Sequence, residues 1–174
     1  MQSLPRVAVG SWPLVAAFAS AVILAIAHAF QTFGGLEPCE LCLKQRQVYW
    51  AALALGMVGF VVIRLARDRR VFAAVSVILA LVFLGEAGVA AYHAGVEWKF
   101  WPGPQSCTGG AQASAAAISS LLGGEKIVGP RCDVAAWRLL GLSMAGWNVL
   151  LALALTGLSL FAAFGRRAIR GQNR

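Results

Sequence analysis

The sequence predicts an all-α integral membrane protein, a bundle of four transmembrane helices with two loops on one side of the bilayer, the second of them long and mobile. Three observations predict it. Only 13% of the residues are charged and the mean hydropathy is +0.72, whereas a soluble domain carries about a quarter charged residues. The apolar residues fall in long blocks, uncharged over 13–30, 47–63 and 139–165 and interrupted by the single charge Glu86 over 71–96. The basic residues flank these blocks, so the formal charge of +8 reads as membrane topology and excludes a basic nucleic-acid face. The whole chain, 1–174, reads as one membrane domain with no internal repeat.

A helix of about 20 apolar residues crosses the ~30 Å hydrocarbon core, and a helix satisfies its own backbone where there is no water. The first span is expected near 12–31. Ala27-His28-Ala29 resembles a signal-peptidase site. The apolar stretch is long for a cleaved signal and only Arg6 precedes it, so a retained helix is the preferred reading. A loop over 32–43 holds Cys39 and Cys42, and the second helix is expected over 44–64. A short link crowded with Arg64, Arg67, Arg69 and Arg70 leads to the third helix, near 71–92. A loop over 93–142 holds Cys107 and Cys132, and the fourth helix is expected over 143–164, followed by Arg166, Arg167, Arg170 and Arg174.

Lys and Arg mark the cytoplasmic side. With Arg6, nine of the fifteen basic residues fall on one face, so both termini are expected in the cytoplasm. All four cysteines then face outward, which in bacteria is the periplasm, where disulfides persist. Tyr49, Trp50, Trp98, Trp101, Trp137 and Trp147 gather near the outer helix ends, as interfacial anchors do. Within the second loop, 97–107 is aromatic and then Pro/Gly-rich, 111–122 has the composition of a short interfacial helix, and 123–132 is turn-rich. Gly56, Gly59, Gly85, Gly88 and Gly146 are expected to admit close helix contacts, Gly85 and Gly88 beside Glu86.

Cys-x-x-Cys has two common uses, zinc and redox exchange. A four-thiolate zinc site takes two close pairs. Cys107 and Cys132 form no second close pair, so no metal is expected. Taken alone, Cys107 and Cys132 suit a structural disulfide. The tiny ring of Cys39 and Cys42 constrains little chain entropy, so a structural role explains it poorly. Pro38 suits the first position of a helix, which places both thiols in its first turn, where the dipole stabilises a thiolate. Arg46 lies one turn after Cys42 and adds a permanent cation on the same face. One pair therefore sits at the membrane boundary, within reach of a lipid-soluble molecule, and the other on a loop within reach of a soluble protein. A non-enzymatic four-helix protein with structural disulfides is the alternative from another class.

The segment PCELCLKQR, the four-span profile, and PGPQSC followed by a lone Cys132 resemble the DsbB family of bacterial disulfide bond formation proteins over nearly the whole chain. The resemblance implies an inner-membrane enzyme that reoxidises a periplasmic DsbA-like, thioredoxin-fold dithiol protein and passes the electrons to a membrane quinone, ubiquinone or menaquinone. It also implies roles. Cys107 is attacked by the partner, Cys132 then attacks Cys39, and Cys42 is left as the thiolate facing the quinone. Arg46 matches the family's arginine after the Cys-x-x-Cys and would stabilise that thiolate and the quinone oxygen. His93 resembles a family histidine near the quinone. The loop between Cys107 and Cys132 must then move, because exchange needs contact between sulfurs. Glu86, seven residues before His93, is a candidate proton relay to the quinone or a hydrogen-bond partner of another helix. Trp147 and Asn148 are candidates for the same pocket, and His28 is a weaker one. A vitamin-K-epoxide-reductase-like enzyme shares the logic but carries its Cys-x-x-Cys late in the bundle, whereas here it opens the second helix.

Overall fold

The computed structural model describes residues 11–104, 107 and 131–171, with side chains to 165. The expected interfacial helix at 111–122 and most of the segment between Cys107 and Cys132 lie outside the described residues. The chain runs α1 (Trp12–Gly34), α2 (Glu40–Ala66), α3 (Arg69–Glu97), β1 (Arg138–Leu139), β2 (Leu142–Ser143) and α4 (Met144–Gly171). Among the described residues four helices are long and apolar enough to cross a membrane, the last of them counted as Met144–Gly165. α1 packs chiefly on α2, α2 also on α3, and α3 most extensively on α4.

Local signals set the helix ends. α1 begins with a proline in its first turn and stops at Gly35, whose φ of 64° is left-handed and whose N–H returns to Phe30 O. α2 ends on Arg67, also left-handed at φ 50°, and Asp68 then caps α3 by accepting from Arg70 N. α2 starts four residues earlier than expected, because Cys39 itself is the N-cap and Pro38 precedes the cap instead of opening the helix. α3 runs five residues past the expected 92 and so carries His93 and Glu97 in its last turns. The short hairpin β1–β2 was not expected. Its turn residues Leu140 and Gly141 both have positive φ, 51° and 82°, the geometry of a tight two-residue hairpin.

The helices are apolar on their outer faces too. Phe18, Val58, Leu65, Leu81 and Phe161 are all exposed, as expected where lipid replaces water. The core is built from Leu24, Ala52, Leu79 and Phe83. Buried Ser20, Ser76, Thr156 and Ser159 each return their hydroxyl to the carbonyl four residues back. Ser159 also accepts from Trp12 Nε1 at 3.1 Å, tying α1 to α4. Glycine permits close approach at two expected positions. A Cβ on Gly56 would lie 2.6 Å from Pro13 O, and one on Gly59 would lie 2.5 Å from a Val75 methyl. The expectation fails at Gly85 and Gly88, which face open space, and Gly146 meets only ordinary contacts. Tyr49 is no interfacial anchor, since it lies inside the bundle at 2% exposure.

Antiparallel packing puts the ends of α1 and α3 and the starts of α2 and α4 together at one end of the bundle. That end carries the cysteines, and the link with Arg67, Arg69 and Arg70 lies at the other.

Candidate functional site

The N-cap of α2 is the centre of the site. Cys39 turns its side chain back over the helix start, where Sγ accepts from Cys42 N at 3.3 Å. Helix N-termini leave backbone donors unmatched, so a sulfur in this place meets partial positive charge. The two sulfurs stand 2.7 Å apart as free thiols, Cys39 buried and Cys42 half-buried. The proton shared with Cys42 pushes the Cys39 thiol up, and burial adds to it.

Cys107 and Cys132 are joined in a disulfide. The sulfurs of Cys39, Cys107 and Cys132 all lie within 4.8 Å of one another, packed with Leu41 and Val96. Asp133, next to Cys132, is clamped from two sides. Arg131 donates to both its carboxylate oxygens at 2.9 and 2.8 Å, and Lys99 reaches Oδ2 at 2.7 Å and the backbone carbonyl at 2.6 Å. The hydrogen bonds from Arg131 and then Lys99 hold the Asp133 carboxyl well below the usual carboxylate range. The clamp ties the chain beside Cys132 to the segment just after α3.

On its other side Cys42 faces a cavity of about 340 Å³, within the ~300–1,000 Å³ range of small-molecule sites. Leu24, Phe30, Trp137, Met144 and Leu151 give it apolar walls, while Cys42, Gln45, Arg46, His93 and Asn148 supply polar groups. Ile26 and Leu151 line it and are also 52% and 47% exposed on the lipid-facing surface, so the cavity opens toward the bilayer. Arg46 is held by α1, with Nη1 donating to Gln31 Oε1 at 2.6 Å and Nη2 to Ala27 O at 2.9 Å.

Behind the cavity a buried polar chain crosses three helices. His93 Nε2 lies 3.6 Å from Cys39 Sγ and 3.8 Å from Glu97 Oε1. His93 Nδ1 meets Gln45 Nε2 at 3.0 Å. Gln45 Oε1 accepts from Asn148 Nδ2 at 2.8 Å, and Asn148 Nδ2 also donates to Glu86 Oε1 at 2.6 Å. Tyr49 closes the chain by donating to Asn148 Oδ1 at 2.5 Å.

Of the residues singled out from sequence, Cys42, Arg46, His93, Trp147 and Asn148 line the cavity. Cys39, Cys107 and Cys132 cluster beside it. Glu86 does not line it, and is hydrogen-bonded to another helix through Asn148. His28 is absent from the lining and bonds its Nδ1 to Leu24 O at 2.8 Å. Sequence reasoning passed over Gln45, Gln31 and Glu97, and took Tyr49 for an interfacial anchor. Gln45 and Tyr49 had a signal, because they continue the buried stripe of Leu41, Ala52, Gly56 and Gly59 at helical spacing. Glu97 lies one turn after His93.

Two donor clusters could suggest a metal, Cys39 with Cys42 and His93, and Cys39 with Cys107 and Cys132. The second has two of its sulfurs tied up in a disulfide. In the first the sulfurs are 2.7 Å apart, closer than the ~3.7 Å between two thiolates each ~2.3 Å from a tetrahedral zinc.

The sequence matches the family described as "Disulfide bond formation protein DsbB" over residues 10–162. It is 30% identical over 161 residues to "Disulfide bond formation protein B" of Xanthomonas euvesicatoria pv. vesicatoria (strain 85-10), covering 88% of this chain and 90% of that one. The protein of the same name from Xanthomonas axonopodis pv. citri (strain 306) is 30% identical over 158 residues, 87% of this chain and 88% of the relative. That of Dechloromonas aromatica (strain RCB) is 29% identical over 150 residues, 84% and 87%.

Proposed function

This chain belongs to the DsbB family of disulfide bond formation proteins, and we propose that it is a membrane thiol:quinone oxidoreductase that reoxidises a periplasmic DsbA-like dithiol protein. The observation that carries the reading is the unbroken sulfur path. Cys39 lies within reach of the Cys107–Cys132 disulfide on one side and of Cys42, which lines the lipid-open cavity, on the other.

The family resemblance implies an order of exchange that the closeness of the sulfurs supports. A partner thiolate attacks Cys107, and the disulfide electrons stay on Cys132 as a thiolate. Cys132 attacks Cys39 of an oxidised Cys39–Cys42 pair, and Cys42 leaves as a thiolate. The partner's second thiol then displaces Cys107, completing its own disulfide. Cys107 recaptures Cys132 and releases Cys39. Each step makes one S–S bond and breaks one. The result is a closed outer pair and an open inner pair holding two electrons and facing the cavity.

The cavity residues fit a quinone. The walls are apolar, the volume suits a head group, and the opening is toward lipid. Arg46, His93 and Cys42 would hold the group. A quinone bound there would supply an acceptor for two electrons and two protons, which would allow Cys39 and Cys42 to rejoin. Arg46 would offer a fixed cation to developing negative charge, a form of stabilisation that needs no reorganisation during the reaction. Glu86 acts from one remove, as a proton-exchanging carboxyl joined to the cavity through Asn148. Ubiquinone and menaquinone each carry the ring oxygens and apolar tail that such a lining would hold. Placement in the bacterial inner membrane with both termini cytoplasmic rests on the arginine-rich link at the end opposite the cysteines.

The test is anaerobic turnover in detergent with a reduced thioredoxin-fold dithiol protein and an added quinone, followed by quinone absorbance. Loss of oxidised quinone that requires both the partner and Cys42 is the expected result. A folded protein that engages the partner yet reduces no quinone would return the four cysteines to a structural role or assign them another oxidant.

A further inference from the structure

We infer that Gln45 and Asn148 are positioning residues that hold His93 in the tautomer carrying its proton on Nε2, aimed at the sulfur of Cys39. What that proton does rests on the thiol chemistry proposed above. Where it sits rests on the direction of the amide hydrogen bonds behind His93.

The chain of bonds has a direction. Glu86 is fully buried, and its Oε1 lies 2.6 Å from Asn148 Nδ2. The same Nδ2 reaches Gln45 Oε1 at 2.8 Å. An amide nitrogen has two hydrogens and accepts nothing, so both bonds run outward from Asn148. Its oxygen receives the Tyr49 hydroxyl. Because Gln45 uses its oxygen toward Asn148, the group it turns to His93 is its nitrogen, 3.0 Å from Nδ1. That nitrogen can only donate, so Nδ1 can only accept. A neutral imidazole that accepts at Nδ1 carries its hydrogen on Nε2. The groups facing Nε2 can both accept, Cys39 Sγ at 3.6 Å and Glu97 Oε1 at 3.8 Å. Reversing every amide requires a protonated Glu86 that donates through Oε1 and leaves a bare Nε2 facing the sulfur, the opposite chemistry, which the nitrogen-15 spectrum distinguishes.

Cys39 changes partner twice in each cycle and is the sulfur through which the loop pair and Cys42 exchange. When Cys107 recaptures Cys132, the Cys39–Cys132 bond breaks and its electron pair stays on Cys39. An N–H already directed at that sulfur stabilises the departing thiolate, as charge-assisted hydrogen bonds do. The thiolate then forms the bond to Cys42, with two electrons passing to the quinone. The polar chain through the membrane core thus acts on an atom at its edge.

The experiment is nitrogen-15 NMR of the full chain labelled at histidine, in detergent, where protonated and bare imidazole nitrogens have distinct shifts. The protein has two histidines, and His28→Gln assigns the remaining signals to His93. His28 is an internal contrast, because its Nδ1 faces a carbonyl and must itself carry the hydrogen. The expected result is a bare Nδ1 and a protonated Nε2 at His93. Gln45→Glu replaces the donor by an acceptor and is expected to move the proton to Nδ1. Turnover with dithiol partner and quinone should fall about tenfold or more, toward the ~10²–10⁴ worth of a positioned acid–base group. Gln45→Leu, which neither donates nor accepts, should give a mixture of tautomers and serves if Gln45→Glu does not fold. A wild-type His93 protonated on Nδ1, or an Nε2 proton unmoved in the folded variants, overturns the inference. Correct tautomers in a protein that reduces no quinone would instead sink the proposed function and leave the positioning intact.

Discussion

Arg46→Met separates quinone chemistry from disulfide exchange. The substitution keeps most of the stem and removes the guanidinium. In the structure that group gives two hydrogen bonds to α1, at 2.6 and 2.9 Å, and has no carboxylate partner among the described residues. A guanidinium has five N–H donors, so others remain for a ligand oxygen. Removing one donor from a developing oxyanion costs about 2.7–4 kcal/mol, or roughly 10²–10³ in rate. The two lost ties to α1 are worth about 1 kcal/mol each, so about 2 kcal/mol of stability goes with them. The rate loss therefore exceeds what partial unfolding of a stable bundle could produce. The assay is anaerobic quinone reduction by the reduced dithiol partner. Mixed-disulfide formation at Cys107 is scored in parallel on non-reducing gels, and thermal unfolding is measured in the same detergent. Quinone reduction should fall roughly 10²–10³-fold while mixed-disulfide formation stays at the wild-type rate. Arg46→Lys keeps the charge but loses the two-pronged fork, and should fall between the two. A folded Arg46→Met protein that reduces quinone within about threefold of wild type would refute the electrostatic role. Equal loss of both reactions would instead make Arg46 a general structural residue.

Other substitutions give sharp outcomes. Cys132→Ser should trap a mixed disulfide between Cys107 and the partner, visible as a reducible band, and normal turnover would show the exchange order to be wrong. Gly95→Ala should destabilise by about 1–3 kcal/mol, because the new Cβ would lie 2.1 Å from Trp101, whose ring stacks on Tyr92 and donates to its carbonyl. Gly88→Ala, facing open space, should be neutral or stabilising by up to about 1 kcal/mol, so paired melts check both. Asp133→Asn should lower the melting temperature at neutral pH. The folded carboxyl is held below its ordinary value, so its contribution is present above the unfolded value of about 3.9 and is lost as the pH falls through the lowered folded value. The gap between wild-type and variant melts should therefore be flat near neutrality and close only in strong acid.

How much of this was legible in the sequence differs by element. Long apolar runs announce membrane helices because lipid leaves the backbone one economical form. Their ends were misjudged where local chemistry ran against composition. Charged Glu40 and Lys44 made the start of α2 look like loop, yet they pair with each other at 2.8 Å on one helix turn. The sequence after His93 looked like loop because it turns aromatic and polar, but α3 continues to Glu97. Gly85 and Gly88 misled because a glycine in a lipid-facing helix need not face another helix. Gly95 went unnoticed because the Trp101 ring over it comes from a turn that no helical periodicity predicts. The cysteines were legible as chemistry from their spacing. The convergence of Cys39, Cys107 and Cys132 within 4.8 Å was not, since it depends on how a long loop returns to the bundle.

The N-cap position of Cys39 explains why one sulfur can serve two solvents. A residue one turn further into α2 would face its neighbours in the membrane, out of reach of a loop disulfide. A residue earlier would lose the helix amides that meet its sulfur. At the cap, Cys39 touches Cys132 and Cys107 on the loop side and Cys42 on the cavity side, while His93 approaches from α3. The buried polar chain behind His93 would be costly in a membrane if it served packing alone, since Ala and Leu fill such space without unsatisfied groups. Its length, from Glu86 on α3 through Asn148 on α4 and Gln45 on α2 back to α3, makes sense if the orientation of one imidazole must survive every exchange at the sulfur it faces. On that view the bundle is rigid where the proton is held.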